Sequence, residues 1–487
     1  MNARLLDARL LNALPLNLRA AIIRRTTFVP DLDTWRAEGM RLRQQPLAWI
    51  ALGALLLALL VAAVSAGFEA RDWRRAAAAD DARRTTLIDA AVAQARAATP
   101  GPAAAQATYQ LGRGELGATR MTVGDGLGLG GYRLRVLPVQ LKATLDSRHV
   151  DARPPGPLRN PLLVDSGLPG VPAMVALLLP LVALALCAGL LQEEREQGRL
   201  GLLRVQARRG MLPVIAAALG WRFLALWATT WIATLPALLL DPLWSASVVG
   251  HWALALAAFC GVWVALGGFL SALPLSGPAA MLAALGLWLT LTFVVPAGLI
   301  WGAQREAPMP SRLAAIVQIR QAQQDSEVHE DALARDWYGR HPRIPAQLPA
   351  VWPASFVPRV LAQDRVLRPL MRRFDDARLR QAAWIERWSW LSPGLALTLR
   401  GERLAGTDVA SHVRYLREVD AFEDRWRDAL VPPVMDRRGI SAEALAALPT
   451  FPLFPSIPSI PTSRTSPRSA PGSTSPAASP PASPASR

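Results

Sequence analysis

The side chains most able to do chemistry stand together in one charged stretch between apolar segments. Glu193, Glu194 and Glu196 are interleaved with Arg195, and Gly198 interrupts the run. After the glycine come the positions Arg199, Leu200, Leu202, Leu203 and Val205. Charged groups at this spacing can form ion pairs with a partner protein, while the apolar stripe lies along a membrane surface. The alternative is a solvated charged loop that only sets membrane topology.

A second group of polar residues lies near the C-terminal end of the chain. Gly406, Thr407 and Asp408 are predicted to form a turn in which Asp408 caps a helix that carries His412. The start of a packed helix accounts for these residue types without a catalytic role.

The composition argues against several other chemistries. The net charge of +16 comes from arginine, since Lys142 is the single lysine, and no glycine-rich phosphate loop precedes it. Cys187 and Cys260 lie inside apolar runs, which predicts small buried side chains rather than a disulfide or a metal site. Many tryptophans lie in or beside apolar runs, which argues against nucleic-acid binding. No cofactor site is predicted.

Five apolar runs must position these residues. A hydrocarbon core of ~30 Å is crossed by about 20 helical residues. The runs of this length are residues 47–67, 171–192, 223–240, 249–272 and 278–302, and none contains an Asp, Glu, Lys or Arg. The sequence therefore predicts an all-α polytopic membrane protein with about five transmembrane helices. His251, at the start of the fourth run, is interpreted as interfacial.

Basic residues in the short links predict the orientation. They precede the first run and fill the link 193–222, whereas the link between runs three and four has none. The basic positions are Arg24, Arg25, Arg36, Arg41, Arg43, Arg195, Arg199, Arg204, Arg208, Arg209 and Arg222. The segment 1–46 is therefore predicted to be cytoplasmic. Because that polar leader is long for a secretory signal, the first run is interpreted as an uncleaved anchor.

Two sizeable regions are then predicted to be extracytoplasmic. Residues 68–170 begin with an Ala/Arg-rich helical stretch, and the alternating pattern over 126–145 predicts a few strands. Residues 303–448 show a mainly helical, amphipathic pattern. The Ser/Pro-rich tail 449–487 has the composition of a disordered segment.

The charged stretch resembles a segment of ABC-2-type transporter permeases. Those proteins commonly carry E-x-E-x-G-T-L-x-x-L after the second helix, and Glu194, Glu196, Gly198, Leu200 and Leu203 match it, with Arg199 in place of the threonine. In that family the segment lies close to the coupling helix that rests on a partner ATPase. The resemblance implies that an ATPase subunit is contacted by Glu194, Arg195, Glu196, Gly198, Arg199, Leu200 and Leu203.

The C-terminal region resembles one uncharacterised sub-family of the same permeases. The resemblance rests on an LSP segment, an LAGTD segment and a following histidine, together with an upstream His-Pro pair. The matching residues are Leu391, Ser392, Pro393, Leu404, Ala405, Gly406, Thr407, Asp408, His412, Tyr415, His341 and Pro342. Members of that sub-family normally end in one more membrane helix, whereas the Ser/Pro-rich tail stands there in this sequence.

The expected function is that of a permease subunit in the bacterial cytoplasmic membrane. The resemblance implies a second permease subunit and a separate ATPase as partners, with no catalytic site on this chain. An ion-coupled carrier is disfavoured because the runs lack intramembrane charge. A membrane enzyme is disfavoured because neither an H-E-x-x-H site nor a G-x-S-x-G segment is evident. A non-transporting structural or signalling membrane protein stays open as the alternative.

Overall fold

The computed structural model describes residues 30–150, 169–207 and 210–451, without the side chains of Arg204 and Gln206. Five helices in this part of the chain are long and apolar enough to cross a membrane, and strands are almost absent. The predicted fold class is confirmed. The predicted disordered tail, apart from its first three residues, lies outside the described residues, as do Arg24, Arg25, Arg208 and Arg209.

The elements are numbered in chain order. They are α1 (Leu32–Arg43), α2 (Pro46–Ala97), α3 (Pro102–Arg113), β1 (Ala118–Arg120), α4 (Leu127–Gly130), β2 (Gln140–Lys142), α5 (Val171–Cys187), α6 (Leu190–Glu196), α7 (Leu200–Gln206), α8 (Met211–Leu239), α9 (Ala246–Ala272), α10 (Gly277–Leu289), a π-helical segment (Thr290–Val294), α11 (Val295–Glu306), α12 (Arg312–Val328), α13 (Glu330–Arg340), α14 (Phe356–Trp388), α15 (Pro393–Ala405), α16 (Val409–Met435) and α17 (Ala442–Ala446).

The five spans are built from seven of these helices. Span one is the N-terminal part of α2, span two is α5 continued by α6, span three is α8 and span four is α9. Span five is α10 and α11, joined through the π-helical segment. The spans share a core that includes Leu179, Leu226, Trp252 and Trp263. Cys187 and Cys260 are buried in it as free thiols, as predicted from their apolar surroundings.

Two helices depart from the predicted bounds. Helix α2 has 52 residues, about 78 Å, so it continues beyond the predicted apolar run, which ends at Gly67, as a rod to Ala97. This rod is the helical stretch predicted for the opening of the region 68–170. Helix α8 begins at Met211 rather than at Phe223; Pro213 lies in its first turn, where a proline is tolerated.

The regions predicted at 68–170 and 303–448 form one domain on a common hydrophobic core, here called the distal domain. Tyr109 and Leu116 from the first region pack with Tyr415, Phe422 and Trp426 from the second. The indole of Trp426 donates a hydrogen bond to the carbonyl of Gly112 at 3.2 Å. Of the stretch 126–145, for which strands were predicted, only β2 is a strand, and residues 127–135 are helical instead. Strand β2 pairs antiparallel with β1, with Ala118 opposite Lys142.

The distal domain lies at one end of the bundle of spans. Helix α2 runs into it, and α14 leads back from it to the spans, where α15 packs against α5 and α9. The opposite end of the bundle, here called the basal side, carries α1, α6, α7 and the turn between α9 and α10. The charged stretch and the LAGTD motif therefore lie at opposite ends of the spans.

Candidate functional site

The charged stretch folds into two short helices on the basal side. Helix α6 continues span two, and Gly198, with φ of +68°, turns the chain into α7. Such a positive φ favours glycine because a Cβ would crowd the neighbouring carbonyl. The motif glycine is therefore required by the turn itself.

Helix α6 is fixed to the turn that joins span four to span five. The guanidinium of Arg195 donates a hydrogen bond to the carbonyl of Leu273 at 2.9 Å. The carboxylate of Glu196 accepts one from the backbone N–H of Gly277 at 2.7 Å, at the N-terminus of α10. A carboxylate at this position is favoured because the first amides of a helix lack intrahelical partners. Arg195 and Glu196 thus join span two to spans four and five.

The remaining acid of the motif binds the N-terminal helix. Glu194 is buried and forms an ion pair with Arg41 of α1. Glu38 lies one turn before Arg41 and is also buried, and burial raises the pKa of its carboxyl group against the opposing effect of Arg41. Removal of Arg41 would leave Glu194 buried without its counter-charge, which is costly.

Helix α1 is also fixed to the start of span three. The indole of Trp221 donates a hydrogen bond to the carbonyl of Trp35 at 2.7 Å, and the two rings lie 5.4 Å apart between centroids. Each tryptophan faces a glycine of the other helix. A Cβ at Gly39 would stand 2.8 Å from the ring of Trp221, and one at Gly220 would stand 2.7 Å from the ring of Trp35. This contact was not predicted from the sequence, because Trp35 and Trp221 are 186 positions apart along the chain.

Helix α7 presents an open apolar face. Leu202 is 61% exposed and Val205 is 84% exposed, and both lie on the basal side beside exposed Arg199. Leu200 and Leu203 are half-buried. Of the residues predicted to contact a partner, Glu194, Arg195 and Glu196 bind other parts of this chain, and Arg195 and Glu196 are also exposed. Arg199, Leu202 and Val205 form an exposed surface on and beside α7, here called the α7 face.

One buried arginine lies in α8, directly before the apolar run 223–240. Arg222 of α8 is buried and donates hydrogen bonds to the carbonyls of Leu186 at 2.8 Å and Ala218 at 3.0 Å. Leu186 lies where α5 ends, and the interruption before α6 leaves its carbonyl in need of a donor. These contacts give Arg222 a structural role within α8.

The LSP motif lies against span five at the π-helical segment. The hydroxyl of Ser392 donates a hydrogen bond to the carbonyl of Leu291 at 2.8 Å and accepts one from the N–H of Leu395 at 3.3 Å. In this segment the N–H of Val295 bonds the carbonyl of Thr290, five residues back. The next donor in that register would be residue 296, which is a proline without an N–H. Ser392 therefore satisfies a carbonyl that its own helix cannot, while Pro393 begins α15.

The LAGTD motif forms the joint between α15 and α16. Gly406 ends α15 in the left-handed conformation at φ of +65°, and Thr407 donates a hydrogen bond to the carbonyl of Gly130 at 3.2 Å. Asp408 caps α16 by accepting hydrogen bonds from two backbone amides, as predicted. His412 lies 3.4 Å from the carbonyl oxygen of Pro138, and burial lowers the pKa of its imidazole. These contacts hold α15 against α4 and the loop before β2.

Among the described residues, no group of three His, Cys, Asp or Glu side chains could hold a metal ion. The densest charged cluster joins α14 and α16 to the chain after β2. Arg427 bonds Asp364 at 2.6 Å and Glu423 at 3.1 Å, and Arg368 bonds Glu423 at 3.2 Å. Each carboxylate faces an arginine, so the cluster ties the helices together.

Comparison with known proteins gives one match. Residues 312–453, less than a third of the chain, match a family described as a domain of unknown function, DUF3526. The match covers α12 to α17 and so contains both C-terminal motifs. No curated protein and no solved structure matches the chain.

Proposed function

We propose that this chain is the membrane-spanning permease subunit of an ABC-2-type transporter, with a separate ATPase subunit bound at the α7 face. The observation that carries the proposal is the open α7 face on a helix pair that is fixed to other spans. A protein that binds there is positioned to move several spans at once. The resemblance of the charged stretch to ABC-2-type permeases supplies the identity of that protein.

The contacts of α6 give the proposal a mechanism. A displacement of α7 passes directly into span two through α6. It passes into spans four and five through Arg195 and Glu196, and into α1 and span three through Glu194 and Arg41. ATP-driven closure of the ATPase would therefore tilt spans two to five together. Hydrogen bonds to backbone and a buried ion pair transmit such a displacement better than flexible loops do.

The remaining parts of the proposal concern assembly and location. Two permease subunits pair in the bacterial cytoplasmic membrane, with α1 in the cytoplasm and the distal domain outside. The basic residues around α1 and α6 support this orientation. The internal contacts of Glu194 and Glu196 assign these two acids a role in force transmission rather than in direct contact with the ATPase.

The test is association with an ABC-type ATPase subunit from the same genome. Leu202→Asp and Val205→Asp each place a charge on the apolar α7 face, and we expect at least a tenfold loss of affinity for the ATPase. Val328→Asp is the matched control, because Val328 is an equally exposed apolar residue of the distal domain. Affinity is measured with purified proteins in lipid nanodiscs.

Two outcomes separate the alternatives. If the α7 variants bind the ATPase as tightly as the control does, the α7 face is not the contact. If the unsubstituted chain neither binds an ATPase nor stimulates ATP hydrolysis, the permease role is wrong, and a structural or signalling role based on the distal domain takes its place.

A further inference from the structure

We propose that residues 388–399 form a re-entrant hairpin immersed in the leaflet nearest the distal domain, where Trp390 contacts lipid acyl chains. This segment lies in the region 303–448, which is predicted from the sequence to be extracytoplasmic. The proposal concerns the surface of the chain toward lipid, and it stands whether or not the chain is a permease.

The depth of the hairpin follows from its contacts with two spans. Ser392 binds the carbonyl of Leu291, which lies ~21 Å along span five from its basal end at Gly277. The hydrocarbon core is ~30 Å thick. A Cβ at Gly394 would stand 3.2 Å from the side chain of Ala176 in span two. The tip therefore lies beside the apolar middle of the spans and not above them.

A second argument is the distribution of charge. Positions 388–399 carry no Asp, Glu, Lys or Arg, and Arg387 and Arg400 bound the run on its two sides. An ion pair between Glu386 and Arg403 joins the descending arm to the ascending arm. The hairpin thus has a charged rim and a charge-free tip. Charged groups at the level of the headgroups and apolar groups below them are typical of an element that enters a bilayer.

The backbone of the hairpin is compatible with an apolar environment. Residues Ser389–Leu391 form a 3₁₀ turn, and the N–H of Ser392 donates to the carbonyl of Ser389 at 3.0 Å. The hydroxyl of Ser392 caps the first turn of α15. Non-helical backbone is tolerated at membrane depth when its polar groups are satisfied by protein.

The exposed side chains identify what covers the tip. Trp390 is 68% exposed, and Trp388 and Leu391 are each 37% exposed. On the other side of the hairpin, Leu397 is buried in the core of the spans. Because Ser392 binds span five at Leu291, beside the exposed apolar side chains of Phe293 and Val294, acyl chains are the occupant that this face fits. Tryptophan is enriched where apolar and polar layers meet.

The test measures depth in the bilayer. The full chain is reconstituted in liposomes with a spin label on Trp390→Cys, and its collision rates with oxygen and with a water-soluble nickel chelate are compared. The native thiols Cys187 and Cys260 are buried, and labelling of the unsubstituted chain checks that they stay unreactive. Leu282→Cys on span five is the lipid control, and Val328→Cys in the distal domain is the aqueous control.

We expect the ratio of oxygen to nickel collisions at position 390 to match that at position 282 and to exceed that at position 328 several-fold. A ratio like that at position 328 would overturn the proposal. Low collision rates with both reagents would overturn it too, because they would indicate a covering protein. If Trp390→Cys does not fold, Leu391→Cys is measured under the same criteria.

Discussion

Ser392 illustrates how one side chain serves two helices. Its hydroxyl caps α15 as an acceptor and satisfies the carbonyl of Leu291 as a donor. Both functions are needed because Pro296 deprives span five of a donor and because α15 begins beside apolar side chains. A carbonyl left without a hydrogen-bond donor in an apolar environment destabilises the fold by up to several kcal/mol.

The first prediction follows at the residue scale. We expect Ser392→Ala to lower the free energy of unfolding by about 1–3 kcal/mol, since it leaves one buried acceptor unsatisfied and removes a cap. Ser389→Ala is the control, because the exposed hydroxyl of Ser389 bonds only a carbonyl of its own helix. Thermal unfolding in detergent measures both. Equal midpoints for the two variants would contradict the role given to Ser392.

Local signals among the motif residues were readable from the sequence and distant ones were not. The cap by Asp408 was predicted because an aspartate before an amphipathic run interacts with amides two and three residues later. The bond from Ser392 to Leu291 joins positions 101 apart and depends on the register of the π-helical segment. No pattern near Ser392 contains that information.

The same contrast holds at the scale of elements. The spans were predictable because an apolar run of about 20 residues is a local property. The start of α8 was not predictable. In the sequence alone Arg222 resembles a charged residue of a link, because its hydrogen bond to the carbonyl of Leu186 cannot be seen there. The sequence suggested that Glu194 and Glu196 face a partner, whereas the packing of α1 and of the turn before α10 provides them with internal partners.

The charged cluster between α14 and α16 gives the distal domain a defined dependence on pH. His149 lies at this cluster, and burial, aided by the positive charge of Arg148, lowers the pKa of its imidazole from 6.5 to about 4. Asp364 and Asp420 act in the opposite direction but are outweighed. Between these two pKa values the unfolded chain binds more protons than the folded chain. Stability that is complete above pH 6.5 is therefore lost as the pH falls toward 4.

The prediction at this scale is a stability difference between pH 7.5 and pH 5. We expect the unfolding midpoint of the unsubstituted chain to decrease on acidification. The midpoint of His149→Gln should decrease by less, because this substitution removes the titrating imidazole. His329→Gln is the control, since His329 is exposed on the surface of the distal domain. Differential scanning fluorimetry at the two pH values measures the change. A decrease in His149→Gln equal to that of the unsubstituted chain would exclude His149 as the cause.

At the scale of the whole molecule, the region before span two and the region after span five build one domain, although four spans separate them along the chain. The sequence suggested two separate regions, because each is a continuous segment and no pattern in either one indicates that it packs against the other. In the structure, Tyr109 of the first region lies in the same core as Phe422 and Trp426 of the second. Arg427 of α16 also donates hydrogen bonds to the carbonyls of Thr144 and Asp146. Folding of the first region therefore depends on the part of the chain that follows span five.

A chain that ends at Met309 tests this dependence. It keeps all five spans but lacks the aromatic residues of α16, so we expect residues 102–145 to lose their core and to be cleaved rapidly by added protease. A chain that ends at Phe451 is the control, because it retains every described element of the distal domain. Coexpression of residues 310–487 with the shorter chain should restore protection, with the two pieces purifying together. If residues 102–145 resist protease in the chain ending at Met309, the first region is an autonomous unit and the single-domain interpretation is wrong.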